Sequence, residues 1–331
     1  MDPIDSIQPN EAAYPAPCPS ERGITADLIA VLVAMSSSEP RVLTIQEQRA
    51  LPSGPFELAH RSLQSGLRAW VERQTRLPLG YVEQLYTFAD RDRAGTAAQH
   101  AISISYLGLT REEAASGEYA ASWRSWYDYL PWEDHRLGPP PLIEETLRRR
   151  LLSWASAAPD RAARRSRRER VAMLFGFEDQ PWNEELVLQR YELLYEAELV
   201  PEALRGASSS AGPDKAASAI APGAAMILDH RRILATGIAR LRAKIKYHPV
   251  VFELMPYSFT LLELQRCVEA LAGKLVHKPN FRRLIEQQEL VEETGETSQD
   301  NPGRPAKLFR FRRAVYAERA IAGTKLPITG A

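Results

Sequence analysis

The segment that decides the fold lies between Tyr257 and Arg313. It reads FTLLEL at 259–264, KPNFRRLI at 278–285 and GRPAKLFRF at 303–311. The first piece has apolar residues at helical spacing, the second has a proline suited to a helix start, and the third alternates apolar and basic residues. This order of helix, turn, helix and basic hairpin predicts a winged helix-turn-helix.

The first of these helices carries its own start and stop signals. Thr260 can cap the helix, and Glu263, three residues later, can bond back to form a capping box. Gly273 offers the stop, because glycine adopts the left-handed conformation that ends many helices. Two independent signals therefore fix the position of this helix.

The second helix is expected to turn its polar residues outward, because Phe281, Leu284 and Ile285 form an apolar stripe. In the major groove, arginine recognises guanine and asparagine recognises adenine, while a basic hairpin can contact phosphates. The alternative is a small α/β domain with a solvated basic hairpin. The predicted DNA contacts are Lys278, Asn280, Arg282, Arg283, Gln287, Arg304 and Lys307.

Composition and charge set the broad class of the protein. The chain has 331 residues, a hydrophobic fraction of 44%, a charged fraction of 25% and a net charge of zero, which is ordinary for a globular protein. Residues 224–313 carry 16 Lys and Arg against 10 Asp and Glu, so this part is +6 and the remainder is −6. A basic C-terminal module on an acidic body indicates a polyanionic partner.

Two unrelated cysteines, Cys18 and Cys267, argue against a disulfide framework and against a zinc site, so we predict no bound metal. The chain starts without a signal-peptide pattern, and its longest apolar run is about half of the roughly 20 residues that span a bilayer. We therefore expect a cytoplasmic, nucleoid-associated protein with no membrane contact.

The N-terminal half alternates strands and one helix. Apolar, β-branched runs at 26–35 and 41–45 predict a hairpin, and proline and glycine at 51–55 predict a turn. Ser62–Arg76 has helical spacing, and two further strands are predicted at 81–88 and 102–109.

This order and its punctuation resemble the Nudix fold. Nudix hydrolases use several carboxylates on one helix to hold magnesium against a pyrophosphate. Gly54, Arg68 and Glu72 match the Nudix signature, whereas His60, Ala69 and Arg73 stand where it has glutamates. The resemblance therefore implies a degenerate domain with no catalytic residues and no hydrolase activity. A plainer interpretation is that Arg68 and Glu72 form an ordinary i, i+4 pair.

The resemblance also suggests where a nucleotide would bind. In Nudix proteins that take ADP-ribose, a stretch similar to residues 86–93 lies by the ligand, so Arg91 and Arg93 could meet a diphosphate. Trp126, in an aromatic group at 123–132, could stack on adenine. The alternatives are a solvated turn for the arginines and core packing for the tryptophan. The candidate ligand-binding residues are Arg68, Glu72, Arg91, Arg93 and Trp126.

The middle of the chain is predicted to be helical, with a block of six arginines and one glutamate at Arg161–Arg170. A long helix is predicted at 224–246, packing on the winged helix or on its copy in a dimer. The predicted domain limits are a flexible tail at 1–22, a Nudix-like sensing domain at 23–140, a helical extension at 141–204, a linker at 205–223, a winged-helix domain at 224–318 and a tail at 319–331.

The combination of an α+β, Nudix-like α/β/α domain, a helical middle segment and a C-terminal winged helix resembles the Nudix-related transcriptional regulators of NAD metabolism, in their alphaproteobacterial branch. The resemblance implies a homodimeric repressor that binds double-stranded operator DNA of NAD-biosynthesis genes. Its effector would be ADP-ribose, NAD or ATP, with no bound cofactor. Two alternatives stay open: an active hydrolase of ADP-ribose-type substrates with an appended nucleic-acid-binding domain, and a scaffold whose winged helix binds protein.

Overall fold

The computed structural model describes residues 25–36, 38–80, 82–90, 101–112, 120–205, 222–246, 250–298 and 305–312. A six-stranded mixed sheet forms the N-terminal half, in the order β4-β5-β1-β2-β6, with β3 paired to β1. β1 is parallel to β5, and the other pairs are antiparallel. The strands are β1 Thr25–Ser36, β2 Glu39–Thr44, β3 Ser53–Pro55, β4 Val82–Phe88, β5 Ala101–Leu109 and β6 Ser122–Ser125.

Strand β1 is apolar on both faces because both faces are covered. Leu28, Ala30 and Leu32 share a core with Leu67 and Val71 of helix α1, Leu63–Thr75. The alternate residues of β1 join the larger core that contains helix α6, His230–Ile245. One helix on each face makes the α/β/α sandwich that the fold class predicted.

The helical middle segment is also confirmed. A π-helix at Ile143–Arg148 continues into α2, Arg149–Ser156. Helices α3 Arg161–Phe175, α4 Val187–Glu196 and α5 Pro201–Leu204 follow. Helix α4 packs against α6, so the extension lies over the outer side of the sandwich.

The C-terminal part is a winged helix, as predicted. Helix α7 spans Leu261–Ala272, α8 spans Lys278–Gln287, and strands β7 Val291–Ser298 and β8 Ala306–Phe311 form the antiparallel wing. Phe259 pairs with Phe309 of the wing, and its ring centroid lies 4.5 Å from that of Phe311. These aromatic contacts join the wing to the start of α7.

Three local predictions are wrong. The long helix begins at His230 rather than at Ala224, because Leu228 has a φ of +43° and the N–H of Ala224 donates to the carbonyl of Asp128. Residues 53–55 form a strand rather than part of a turn. The first wing strand runs to Ser298, three residues past Gly295, where a turn was expected.

Helix α6 packs mainly on the sheet and on α4, with fewer contacts to α7. Gly237 allows a close approach, since a Cβ built there would lie 2.9 Å from Cγ1 of Val31. This helix therefore forms a layer of the sandwich, although the sequence grouped it with the winged helix. The domain limits stay a prediction, and the expected tails and most of the linker fall outside the described residues.

Candidate functional site

Helix α8 presents a polar, cationic face to solvent. Phe281 and Ile285 are 1% and 0% exposed and anchor the helix, while Leu284 is half-buried. Lys278, Asn280, Arg282, Arg283 and Gln287 are all exposed. The structure thus brings five of the seven predicted DNA-contacting residues together on one helix.

Helix α7 supports α8 and is fixed at both ends. The N–H of Glu263 donates to Oγ1 of Thr260 at 3.2 Å, and the N–H of Thr260 donates to Oε2 of Glu263 at 2.6 Å. The predicted capping box is therefore present. Gly273 ends the helix with a φ of +72°.

The wing carries compensated charge. Nζ of Lys307 lies 2.7 Å from Oε1 of Glu293, and Nε of Arg310 lies 2.7 Å from Oε1 of Glu292. Arg304 lies outside the described residues. Sequence reasoning counted the basic residues of β8 and overlooked that β7 sets acidic residues opposite them. The uncompensated positive charge therefore lies on α8 rather than on the described part of the wing.

A shallow cavity of about 390 Å³ lies along helix α1, lined by Ala69, Glu72, Arg73 and Arg76. The first three occupy the positions at which the Nudix signature has its metal-holding acids. One carboxylate and two guanidinium groups give this cavity a net positive charge, which favours an anion over a divalent cation. Sequence reasoning missed Arg76 because it follows the signature; the residue caps α1 with a φ of +60°.

The other predicted ligand residues have different environments. Arg68 donates from Nη2 to the carbonyl of Gly80 at 2.9 Å and also to that of Leu79, so it fixes the chain after α1. Trp126 is completely buried, so the prediction that it stacks on adenine is wrong and core packing describes it. Arg91 and Arg93 lie outside the described residues.

A buried ionic cluster, hereafter the Glu133 cluster, consists of Glu133, Arg190 and Arg242. All three side chains have 0% exposure. Glu133 accepts from Nε of Arg190 at 2.6 Å, from Nη2 of Arg190 at 2.7 Å and from Nη1 of Arg242 at 2.6 Å. Burial alone would raise the pKa of the Glu133 carboxyl, but the two guanidinium groups outweigh it and lower the pKa below its ordinary value.

The Glu133 cluster connects three parts of the fold. Glu133 follows the last strand of the sheet, Arg190 belongs to α4 and Arg242 belongs to α6. Nε of Arg242 also donates to the carbonyl of Leu271, in the last turn of α7, at 2.9 Å. The cluster therefore reaches the winged helix directly.

Neighbouring bonds hold the same end of α7. The hydroxyl of Tyr127 donates to the carbonyl of Ala270 at 2.6 Å, and the N–H of His135 donates to the carbonyl of Gly273 at 2.7 Å. A Cβ on Gly273 would lie 2.3 Å from the carbonyl oxygen of Glu133. Only glycine allows this approach, so the turn before α8 is clamped to the sandwich.

Among the described residues, no group of three or more His, Cys, Asp and Glu side chains is placed to hold a metal ion. None of the helices in the described ranges is long and apolar enough to cross a bilayer.

Comparison with known proteins agrees with this architecture. Residues 251–311 match the NrtR DNA-binding winged helix domain family. The ADPR responsive transcriptional repressor NtrR of Acinetobacter baylyi is 40% identical over 91 residues, which cover 28% of this chain and 36% of that protein, about a third of its length. The crystal structure of Shewanella oneidensis NrtR with a 27mer DNA aligns with a TM-score of 0.50 and 19% identity, covering 91% of this chain and 99% of that one.

The match over residues 251–311 falls on the predicted winged helix, and the likeness to the Shewanella structure extends over both domains of the fold. The described chain therefore joins a Nudix-like α/β/α domain to a winged helix that is similar to the NrtR DNA-binding winged helix domain family.

Proposed function

We propose that this protein is a transcriptional repressor of NAD-biosynthesis genes that binds operator DNA through its winged helix and releases it when a nucleotide occupies the Nudix-like domain. The cationic outer face of α8, in a domain of NrtR type, is the observation that carries this proposal. Arg282 and Arg283 are the residues to which we assign base or phosphate contacts, with Asn280 at the start of the helix.

We assign ADP-ribose as the effector, with NAD and ATP as the other candidates. The relative from Acinetobacter is named as ADPR-responsive, and the cavity on α1 has a charge that suits a diphosphate. Arg73 and Arg76 are each able to donate to phosphate oxygens, a role in which arginine is well suited by its planar donor fork. Glu72 alone is a poor magnesium site, since such sites in enzymes combine several oxygen ligands. The domain would therefore bind its ligand without hydrolysing it.

The working form would be a homodimer in the cytoplasm. Winged-helix and helix-turn-helix dimers place two recognition helices about 34–36 Å apart, or at multiples of this spacing, on a palindromic site. A nucleotide would favour one dimer geometry over the other, with a coupling free energy of about 1–3 kcal/mol.

The DNA half of the proposal is tested by binding to a random-sequence duplex at low salt and to the regions upstream of NAD-biosynthesis genes. We expect wild-type protein to shift both, and the double variant Arg282→Ala/Arg283→Ala to lose most of its affinity. A matched control is Arg49→Ala/Arg111→Ala, which removes two exposed arginines from the Nudix-like domain. Equal affinities of the wild type and the α8 variant would refute the assignment of α8 to the groove.

The effector half is tested with purified protein and ADP-ribose, NAD and ATP, each with magnesium and with a chelator. We expect one of them to bind equally well in both conditions and to lower affinity for the operator. We expect no AMP to appear from ADP-ribose. Release of AMP that requires magnesium would instead support an active hydrolase with an appended nucleic-acid-binding domain.

A further inference from the structure

Helix α3, which lies outside the winged helix, carries a dense positive charge. Between Arg161 and Arg170 it holds six arginines and one glutamate. Six pairs of these arginines stand three or four residues apart, where like charges repel. The described ion pairs that offset this repulsion are Arg165 with Glu169, at 3.6 Å, and Arg170 with Glu196 of α4, at 2.5 Å. An ordinary solvated helix mixes its charges, so this one is less stable alone than beside an anion.

The arginines of α3 divide into two sets. Arg164, Arg167 and Arg170 contact other parts of the fold. Nε of Arg164 donates to the carbonyl of Ala158 at 3.1 Å, the Arg167 guanidinium lies 4.2 Å from the ring centroid of Trp154, and Nη2 of Arg170 lies 2.5 Å from Oε2 of Glu196. The other set, Arg161, Arg165 and Arg168, is exposed at i, i+4 and i+7 and therefore lies along one side of the helix. We call this set the outer arginine stripe.

The partners of the outer arginine stripe leave its charge largely uncompensated. The side chain of Arg165 is 81% exposed beside a Glu169 that is 70% exposed, so solvent screens that pair. Arg168 donates only to the hydroxyl of Ser156, at 3.3 Å. Among the described residues, no carboxylate lies within 4 Å of the guanidinium groups of Arg161 and Arg168. The stripe presents three cations about 4.5–6 Å apart along the helix axis.

The C-terminal end of α3 lies near the turn that precedes α8. After α3 ends at Gly176, the Trp182 ring stacks on that of His135 with centroids 4.0 Å apart, and the N–H of His135 bonds to Gly273. Nζ of Lys274, in the same turn, lies 2.9 Å from Oε2 of Glu184. Helix α3 is about 22 Å long at 1.5 Å per residue, shorter than one turn of duplex DNA, about 34 Å.

We propose that the outer arginine stripe of α3 is a second DNA-binding surface, which contacts the phosphate backbone beside the site occupied by α8 and so lengthens the footprint of the protein. The inference rests on the proposed DNA-binding function and adds to it. Arginine suits this contact because its fork of donors matches phosphate oxygens, and phosphate contacts do not depend on base sequence.

The experiment measures binding of full-length protein to a labelled random-sequence duplex of about 40 base pairs, roughly four helical turns, over a series of salt concentrations. Each phosphate contact adds about 0.9 to the slope of log affinity against log salt. We expect Arg161→Gln/Arg165→Gln/Arg168→Gln to lower that slope by about 2–3. The matched control, Arg49→Gln/Arg61→Gln/Arg111→Gln, removes the same charge from exposed positions elsewhere and should leave it nearly unchanged.

We expect the stripe variant to stay folded, because replacing its three arginines removes repulsion between like charges on α3. We expect the melting temperature of the stripe variant to equal or exceed that of the wild type. A wild-type slope in the stripe variant, or an equal loss in the control, would overturn the proposal. So would a stripe-dependent attachment to phosphatidylserine vesicles with no change in the DNA slope.

The same assay separates the two proposals. If Arg282→Ala/Arg283→Ala weakens binding and the stripe variant does not, the winged helix is the whole DNA surface and only the further inference fails. If the wild type does not bind the duplex even at low salt, the proposed function fails as well.

Discussion

The carboxylate of Glu133 lies 2.6 Å from Nη1 of Arg242, although 109 residues separate the two in sequence. Arg242 in turn donates to the end of α7, so one buried ion pair belongs both to the sandwich and to the winged helix. We therefore expect a change in this pair to shift the end of α7 and, with it, the proposed DNA-binding face of α8.

We expect Glu133→Gln to lower the free energy of unfolding by about 3–5 kcal/mol, because two guanidinium groups would stay buried without their counter-charge. Chemical denaturation measures the change. Glu144→Gln is the matched control: Glu144 pairs with Arg148 at 2.8 Å on the surface, and its loss should cost less than about 1 kcal/mol. Similar losses for the two variants would contradict the central place of the Glu133 cluster.

Gly273 and Gly295 form a matched pair for a backbone test. Both have positive φ, +72° and +84°, so alanine strains each by about 1–2 kcal/mol. A Cβ at Gly273 also meets the Glu133 carbonyl at 2.3 Å, whereas one at Gly295 meets nothing within 4 Å. We expect Gly273→Ala to cost about 1–3 kcal/mol more than Gly295→Ala, measured by denaturation, and to weaken DNA binding. Equal losses of stability in the two variants would show that the backbone around Gly273 shifts readily to accommodate a Cβ.

His230 predicts a pH dependence of stability. Its side chain is buried and Nδ1 accepts the N–H of Leu51 at 2.9 Å; burial lowers the pKa of His230 to about 4, with the nearby charge of Arg205 acting in the same direction. A folded-state pKa below the unfolded value means that stability is complete above about pH 6.5 and falls as the pH drops towards 4. His230 should account for about 3 kcal/mol of this loss.

The measurement is the free energy of unfolding between pH 7 and pH 4. His230→Asn should flatten the pH dependence while lowering stability at neutral pH. His277→Asn, at an exposed position before α8, should leave the pH dependence of stability unchanged. A profile for His230→Asn as steep as that of the wild type would contradict the assignment.

The capping box of α7 predicts a smaller effect. We expect Thr260→Ala to destabilise the protein by about 1 kcal/mol, because the N–H of Glu263 loses its acceptor. Thr260→Ser keeps the hydroxyl and should restore most of that loss in thermal melts. If serine fails to do so, the methyl group rather than the cap bond is responsible.

The cavity on α1 allows a gain-of-function test. In Ala69→Glu/Arg73→Glu, the two new carboxylates and that of Glu72 would make three along one helix face, and we expect this variant to bind Mn²⁺ in a calorimetric titration. Ala69→Gln/Arg73→Gln should not bind Mn²⁺, because it adds length without charge. Binding by the wild type as tight as that of the carboxylate variant would contradict the assigned loss of the metal site.

Local signals made the winged helix predictable. The Thr260–Glu263 box and Gly273 set the ends of α7, and the stripe of Phe281 and Ile285 set the outer face of α8; each signal acts over a few residues. Strand β1 was equally predictable from the sequence, because an uninterrupted apolar run indicates a strand covered on both sides.

The contacts that unite the domains were not predictable, because they depend on tertiary structure. Glu133 had no pattern that would pair it with arginines 57 and 109 residues away. Trp126 was assigned to a ligand because an aromatic ring serves equally well in a core and in a pocket. Arg76 was missed because the Nudix signature specifies the positions of the hydrolase residues, and Arg76 follows its last position.

The clamp at Gly273 has a mechanical consequence. A winged helix joined to the rest of the chain only by a flexible linker would rotate freely, and a ligand bound in the cavity on α1 could not change its orientation. Here hydrogen bonds from Tyr127, His135 and Arg242 hold the turn before α8 against the Nudix-like domain, so we expect the two domains to move together. In the proposed homodimer, a bound nucleotide would then act by changing the relative orientation of the two subunits.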